Sequence, residues 1–377
     1  MPRRRGAGGA GRVLPRAGAG GAGGPGAAAG WRLLKVWLDA LTPKQGRLVA
    51  CLHRSLRRAG HETLVTCREH ECTASVVRLY GVEPVVVGRY GGGTKLGKLL
   101  ADAERVRELA ELASARGVQA LVSYPNPSAA RVAFGLGIPY VALNDTPHAD
   151  AANRLSLPLC AFLVASEALE GRFDRYLAPG ARVLYYRGVD EVLWVRGFEP
   201  TGSSLRELGL ERKEYVVVRP EEYKAAYYSW EGWGWLELCE ELRRRGLRVV
   251  VLPRYEEQRA AAEKAGFAVP RGCVDGLDLA YHALAVVTGG GTMAREAALL
   301  GTPSYYTFPL ELEVSAYVER LGFPLKRWSG GAGELAEEIA SLERSEVEEW
   351  AEKARERLAG LEAPDAKVLE ALRALGG

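Results

Sequence analysis

Three consecutive glycines, Gly289, Gly290 and Gly291, follow the β-branched run Val286-Val287-Thr288 and precede the helix-forming run Thr292-Met293-Ala294-Arg295-Glu296-Ala297-Ala298-Leu299-Leu300. A strand, a glycine turn and a helix in that order suit an anion. Glycines let backbone N–H groups approach a ligand, and the helix points its unbonded amides and positive dipole end at it. Gly301 and Pro303 then stop the helix. The pattern predicts a cradle for a phosphate or diphosphate; a tight turn without a ligand is the competing reading. Glu296 lies four residues after Thr292, one turn down the same face, where a carboxylate could accept hydrogen bonds from ribose hydroxyls; an ion pair with Arg295 is its structural alternative.

Other reactive side chains stand where strands should end. Asp39 closes the run Leu34-Lys35-Val36-Trp37-Leu38-Asp39. Tyr124, Asn126 and Ser128 follow Ala120-Leu121-Val122, and Asn144, Asp145, Thr146 and His148 follow Tyr140-Val141-Ala142-Leu143. Arg219 and Glu221 close Tyr215-Val216-Val217-Val218, and Arg254 follows Val251-Leu252-Pro253. Arg219, Arg254 and the Gly289–Gly291 amides would make a mixed anion site, since guanidinium forks match phosphate oxygens. Asp39 or Asp145 is a candidate base, with His148 behind them; Ser128 and Asp145 are also good helix N-caps. His53 and His61 read as surface or packing residues. Tyr227, Tyr228, Trp230, Trp233 and Trp235 read either as an aromatic loop over a sugar or base, or as ordinary packing. Arg54, Arg57 and Arg58 read as a solvated helix face that could meet an anionic lipid surface.

The elements that would hold these residues alternate. Strands are expected near residues 34–39, 62–66, 85–87, 120–122, 139–143 and 161–164, with helices over 48–59, 73–80, 96–116 and 128–136. After a pause from about 186 to 213, strands return near 215–218, 247–252, 285–287 and 304–307. Helices are expected over 235–245, 256–265, 279–283, 345–358 and 366–375. Continuous apolar strands alternating with helices mean parallel sheets covered on both faces. Two doubly wound domains follow, residues 31–190 and 191–344, with C-terminal helices over 345–377 and a loose joint near 190. A ligand should sit between them, outside the carboxyl ends of the strands.

Composition bounds the reading. A chain of 377 residues, 47% hydrophobic and 26% charged, is expected to be globular with about two cores. Its net charge of +3 does not support a nucleic-acid footprint, and no run approaches the roughly 18 apolar residues of a membrane span. Six scattered cysteines, Cys51, Cys67, Cys72, Cys160, Cys239 and Cys273, lack metal-site spacing and read as reduced thiols, or as disulfides in a hyperthermophile. Residues 1–30, almost only Gly, Ala, Arg and Pro, read as a disordered tail or an upstream start, not a secretory signal.

Several segments together resemble a largely archaeal family of unknown function, domain family 354, from about Leu34 to Leu325. They are Val36-Trp37-Leu38-Asp39, Gly60-His61-Glu62, Arg131-Val132-Ala133-Phe134-Gly135-Leu136-Gly137-Ile138-Pro139, Asn144-Asp145-Thr146, Val217-Val218-Arg219-Pro220-Glu221, Val274-Asp275-Gly276-Leu277 and the glycine turn through Phe308-Pro309. That family in turn resembles GT-B fold glycosyltransferases and the non-hydrolysing UDP-N-acetylglucosamine 2-epimerases. The resemblance implies two Rossmann-like domains facing a central cleft, a nucleotide diphosphate on Gly289, Gly290, Gly291 and Thr292, and a ribose on Glu296. Asp145 falls near the epimerases' Glu-Ala-Gly segment, and Ala152-Asn153-Arg154 repeats their Ala-Asn-Arg segment.

Departures are equally specific. Ser123-Tyr124 stands where the epimerases carry an Asp, Arg219-Pro220-Glu221 lacks their His, and Pro43-Lys44-Gln45 replaces the Pro-x-His usual in family 354. The resulting expectation is a nucleotide-sugar-binding protein, preferably a glycosyltransferase using a UDP-sugar. An epimerase or a non-catalytic binder are the alternatives. No other cofactor and no metal is expected, the acceptor would be a glycan or a lipid-linked molecule, and the protein would work in the cytoplasm or peripherally at a membrane.

Overall fold

The computed structural model describes residues 32–223 and 232–376. The glycine-rich tail and Tyr227, Tyr228 and Trp230 lie outside the described residues. Trp233 and Trp235, by contrast, pack against the core of the second lobe.

The first lobe is a seven-stranded parallel sheet in the order β3-β2-β1-β4-β5-β6-β7. Its strands and helices are β1 (Lys35–Ala40), α1 (Pro43–Arg58), β2 (Glu62–Glu69), α2 (Thr73–Leu79), β3 (Val85–Arg89), α3 (Lys95–Arg116), β4 (Ala120–Ser123), α4 (Pro127–Gly135), β5 (Tyr140–Leu143), α5 (Asp150–Ser156), β6 (Phe162–Ser166) and β7 (Arg182–Tyr186). The connection α6 (Val192–Val195) and α7 (Ser203–Leu208) leads to the second lobe. That lobe holds β8 (Tyr215–Arg219), α8 (Trp235–Arg244), β9 (Arg248–Val251), α9 (Glu256–Lys264), α10 (Gly276–His282), β10 (Ala285–Thr288), α11 (Thr292–Leu299), β11 (Ser304–Tyr306), α12 (Glu313–Arg320), β12 (Leu325–Arg327) and α13 (Ala332–Ala340). Its five parallel strands run β12-β11-β10-β8-β9. Of the last helices, α14 (Arg344–Ala359) touches α11, whereas α15 (Pro364–Gly376) returns to cover β5, β6 and β7.

In each sheet the chain reverses its direction of strand addition at one place, between β1 and β4 and between β8 and β10. Helices leave opposite faces there, so a crevice opens beyond the strand ends. Arg219 ends β8 and the glycine turn follows β10, which puts both at the second lobe's crevice.

Three elements differ instructively from expectation. α1 begins at Pro43, ahead of its apolar period, because Thr42 caps it and Pro43 supplies its fixed φ. That first turn faces the crevice rather than the core, so no apolar period announces it. β7 is half-exposed except for Tyr186, and β12 buries only Leu325; neither has the apolar run of a central strand, and neither is predicted. The joint near residue 190 is not loose. Asp190, Glu191, Val192, Trp194 and Val195 are all buried, and the first lobe's apolar cluster continues through α6 into Ala294, Ala298 and Leu299 of α11.

Candidate functional site

A cleft of about 900 Å³ lies between the lobes, lined by Lys44, Arg47, Tyr124, Asp145 and His148 on one side and Arg219, Arg254, the glycine turn, Arg295 and Glu296 on the other. That volume is within the usual size of a small-molecule site.

At the glycine turn, α11 starts without a side-chain cap at Gly291, leaving its first-turn amides to an outside acceptor. The three glycines are there for different reasons. A Cβ at Gly289 would meet the Glu221 backbone at 2.5 Å, and one at Gly291 would meet Arg295 and Leu312 at 2.6 Å. Only at Gly290 is the space open, the nearest atom being Arg254 Nη2 at 4.0 Å. Packing therefore requires Gly289 and Gly291, while Gly290 faces the cleft.

Arg219 and Arg254 converge beside this turn, with Glu71 and Glu222 the acids nearest them. Glu71 stands 3.9 Å from each guanidinium, and its own backbone is left-handed at φ 46°. Burial, and then the charge of Arg254, lower the Arg219 pKa to about 10. A pair of cations held together in this way favours an anion between them.

The cleft floor is a buried ionic network joining the lobes. Arg295 Nη2 donates to Glu191 at 2.7 Å and to Asp145 at 2.8 Å, and Lys44 Nζ contacts Asp145 at 2.5 Å and Asp190 at 3.1 Å. Tyr186 donates to Asp190 at 2.6 Å, and the Tyr124 hydroxyl also donates to Asp190. Glu296 Oε1 accepts from Arg47 at 2.6 Å and from Trp194 Nε1 at 2.9 Å. Its partner is thus Arg47 of the other lobe and not its neighbour Arg295. These contacts fix its carboxylate on the cleft wall.

The expected site residues therefore separate. Asp39 is withdrawn: it is buried under the sheet end, where Arg105 donates to both its oxygens at 2.7 and 2.9 Å, and Asn126 and Thr66 also donate to it. It holds β1, α3 and α4 together and does not line the cleft. Glu221 is also set back. It is buried behind the glycine turn, and its neighbour Glu222 lines the cleft instead. Asp145 is on the cleft, but it makes a poor base. Burial opposes its ionisation, yet Lys44 and Arg295 overcome this and hold its carboxyl well below the usual range. Neither Ser128 nor Asp145 caps a helix; Asn126 caps α4 and Ser128 bonds Asp102.

His148 differs from both acids in position and charge. It lines the cleft, with its ring 5.5 Å from that of Phe308 across it, and burial lowers its pKa from 6.5 against the pull of Asp145 and Glu313. It is neutral, and able to take a proton, at neutral pH. His53 bonds Thr63, and His61 accepts from the Leu34 amide, so both are structural. Lys44, Arg47, Asp190, Glu191 and Trp194 were not singled out as site residues from the sequence. The i, i+3 spacing of Lys44 and Arg47 directly after a strand end was the available signal. Among the described residues no three His, Cys, Asp or Glu side chains gather as a metal would require.

A family model described as protein of unknown function (DUF354) matches residues 34–321, and the chain belongs to that family. The uncharacterized protein MJ0665 of Methanocaldococcus jannaschii is 30% identical over 287 residues, 74% of this chain and 83% of that protein. Among solved structures, an S. aureus MnaA–UDP co-structure has a TM-score of 0.64 at 13% identity, covering 88% of this chain and 92% of that one. The M. jannaschii UDP-GlcNAc 2-epimerase in complex with UDP-GlcNAc and UDP has a TM-score of 0.62 at 12% identity, over 90% and 100%. The spinosyn forosaminyltransferase SpnP has 0.56 at 15%, over 90% and 99%. The fold is accordingly that of GT-B glycosyltransferases and UDP-sugar epimerases, two Rossmann-like lobes with parallel sheets.

Proposed function

We propose that this family member binds a nucleotide-diphosphate sugar across the cleft and transfers the sugar to an acceptor. The observation that carries the reading is the convergence of Arg219 and Arg254 on the open start of α11. Positive groups held ready around a departing diphosphate supply most of what a metal-independent transfer needs. Glu296, oriented by Arg47 and Trp194, would hold the ribose. The UDP in two of the structural neighbours makes a UDP-sugar the first probe.

Transfer is favoured over epimerisation by the state of the other lobe. Epimerisation needs acid and base groups working at the sugar carbon, and Asp145 is pinned by two cations. His148 is then the base for the acceptor. His148→Ala should lower kcat about 100-fold while leaving UDP binding unchanged. The wild-type rate should fall in acid through a pKa below 6.5, as the imidazole becomes protonated. Release of UDP only when an acceptor is added is the expected result. Conversion of the sugar without acceptor would instead establish the epimerase, and stabilisation by UDP-sugar without any turnover would establish a binder.

The acceptor side carries an apolar edge. Leu96, Leu99 and Leu100, at 65%, 65% and 61% exposure, form one stripe on the first turns of α3, with Lys95 and Lys98 beside it. Leu99 and Lys98 also line the cleft. An apolar stripe flanked by lysines suits an anionic bilayer surface and hence a lipid-linked acceptor. No helix of the described residues is long and apolar enough to cross a membrane. Vesicles containing anionic lipid should pull the protein down on sedimentation, and Leu99→Ser with Leu100→Ser should weaken this about tenfold. No sedimentation of the wild-type protein would leave a water-soluble glycan as acceptor.

A further inference from the structure

Four of the six cysteines, Cys51, Cys67, Cys160 and Cys239, are buried singly in the cores. The other two are not. Cys72 precedes α2 in the first lobe and is half-buried; Cys273 lies between α9 and α10 in the second and is exposed. Both line the cleft, each is the other's strongest polar neighbour, and the lobes close up beside them, where Glu71 stands 3.9 Å from Arg219. Cysteines from different lobes, 201 positions apart (273 minus 72), thus face each other at a solvent-reached edge.

The position of the pair in the cleft matters. The joint follows β7, at one end of the seven-stranded sheet, and the ionic network of Glu191 and Arg295 clamps the lobes there. Cys72 follows β2, next to the opposite edge of the same sheet. The joint is thus the closed end of the cleft and the cysteines are at its mouth, where lobe opening has the largest amplitude.

We propose that Cys72 and Cys273 are an oxidation site: a peroxide converts them to a reversible disulfide that staples the mouth of the cleft. The Cys72 thiolate attacks one oxygen of the peroxide; an S–O bond forms, the O–O bond breaks, and hydroxide leaves as water, giving a sulfenic acid. The Cys273 sulfur, giving up its proton, attacks that sulfenic sulfur. The S–S bond forms, the S–O bond breaks, and a second water leaves. The two thiols together lose two electrons and two protons, and the peroxide takes up both. The order follows from the surroundings. The hydrogen bond from Cys273, with Arg219 nearby and burial opposing, brings the Cys72 thiol to about 7, whereas the Cys273 thiol is raised by the same bond.

Stapling would hold a nucleotide in place, a consequence that rests on the reading of the cleft given above. The test treats the full-length protein with stoichiometric hydrogen peroxide, blocks remaining thiols and maps peptides. A Cys72–Cys273 cross-link is expected, reversed by dithiothreitol and absent from Cys72→Ser and Cys273→Ser. Oxidised wild-type protein should melt higher than reduced, and should release UDP about tenfold more slowly, a difference neither variant shows. A different cross-link, or Cys72 carried to the sulfinic acid with Cys273 still free, would overturn the proposal. Failure of UDP to bind the reduced protein would instead overturn the reading of the cleft, while the peptide map still decides the thiol pair.

Discussion

Arg219→Gln combined with Arg254→Gln is expected to abolish UDP-sugar binding while leaving the unliganded protein about as stable as the wild type, or slightly more stable. Each guanidinium would give the diphosphate charge-assisted hydrogen bonds worth roughly 1.5–3 kcal/mol, so removing both should cost about 100-fold to 10,000-fold in affinity. Stability should behave in the opposite sense. The two arginines stand together with Glu71 at 3.9 Å from each, and Arg219 is largely buried beside Arg254. Removing like charges from such a place relieves repulsion and desolvation. Little else in the fold depends on the two side chains: Arg254 donates a 3.3 Å hydrogen bond to the Pro220 carbonyl and stands 3.6 Å from Glu222. Calorimetric titration with a UDP-sugar, alongside thermal melting without it, reads both quantities. Undiminished affinity in the double variant would remove the arginines, and with them the anion site, from the account of this cleft.

Arg295→Met is expected to produce the largest loss of stability. Glu191 and Asp145 would keep their places in the interior with Lys44 as their remaining partner. Breaking one side of a buried pair costs roughly 3–5 kcal/mol. In a protein of this size that is a fall in melting temperature of about 6–15 °C. The pH dependence identifies the cause. The Asp145 carboxyl is held below its unfolded value, so its contribution is present above the unfolded carboxylate pKa of about 4 and lost as pH falls through the folded value. Removing Arg295 weakens that contribution. The deficit should be largest at neutral pH and should shrink only in strong acid, as the pH falls toward the lowered value of the Asp145 carboxyl and that group takes up its proton with or without Arg295. Urea midpoints followed from neutral pH into strong acid measure it; a deficit that stays constant throughout would mean that packing, not charge, is what Arg295 contributes. Because the network joins the joint to α11, the same variant should also loosen the lobes.

The division between what is legible and what is not can be followed residue by residue. Val286-Val287-Thr288 followed by Gly289–Gly291 is a strand and a turn wherever it occurs, and β10 and α11 lie where it predicts. The apolar runs gave most of the central strands, because a strand covered on both faces must be apolar along its length. They missed β7 and β12, where edge position removes that requirement. The first turn of α1 escaped for the same reason: Lys44 and Arg47 face a cleft, and clefts impose no period.

Asp39 shows the limit most sharply. A carboxylate at the end of a central strand has one sequence signature whether it serves a ligand or the sheet, and Arg105, 66 residues away, decides which. Asp145 and Glu296 likewise keep their places on the cleft, but Lys44, Arg295 and Arg47 set their charge and orientation from the other lobe or from distant helices. The amino-acid sequence by itself determined the local elements, their parallel order and the strand-end position of the glycine turn, since these follow from side-chain period and backbone geometry within a few turns. Only the tertiary structure decided which acids are locked in ion pairs, that the joint is clamped, and that Cys72 faces Cys273, because proton affinity and contact depend on what charge and what burial the rest of the chain brings to a given point.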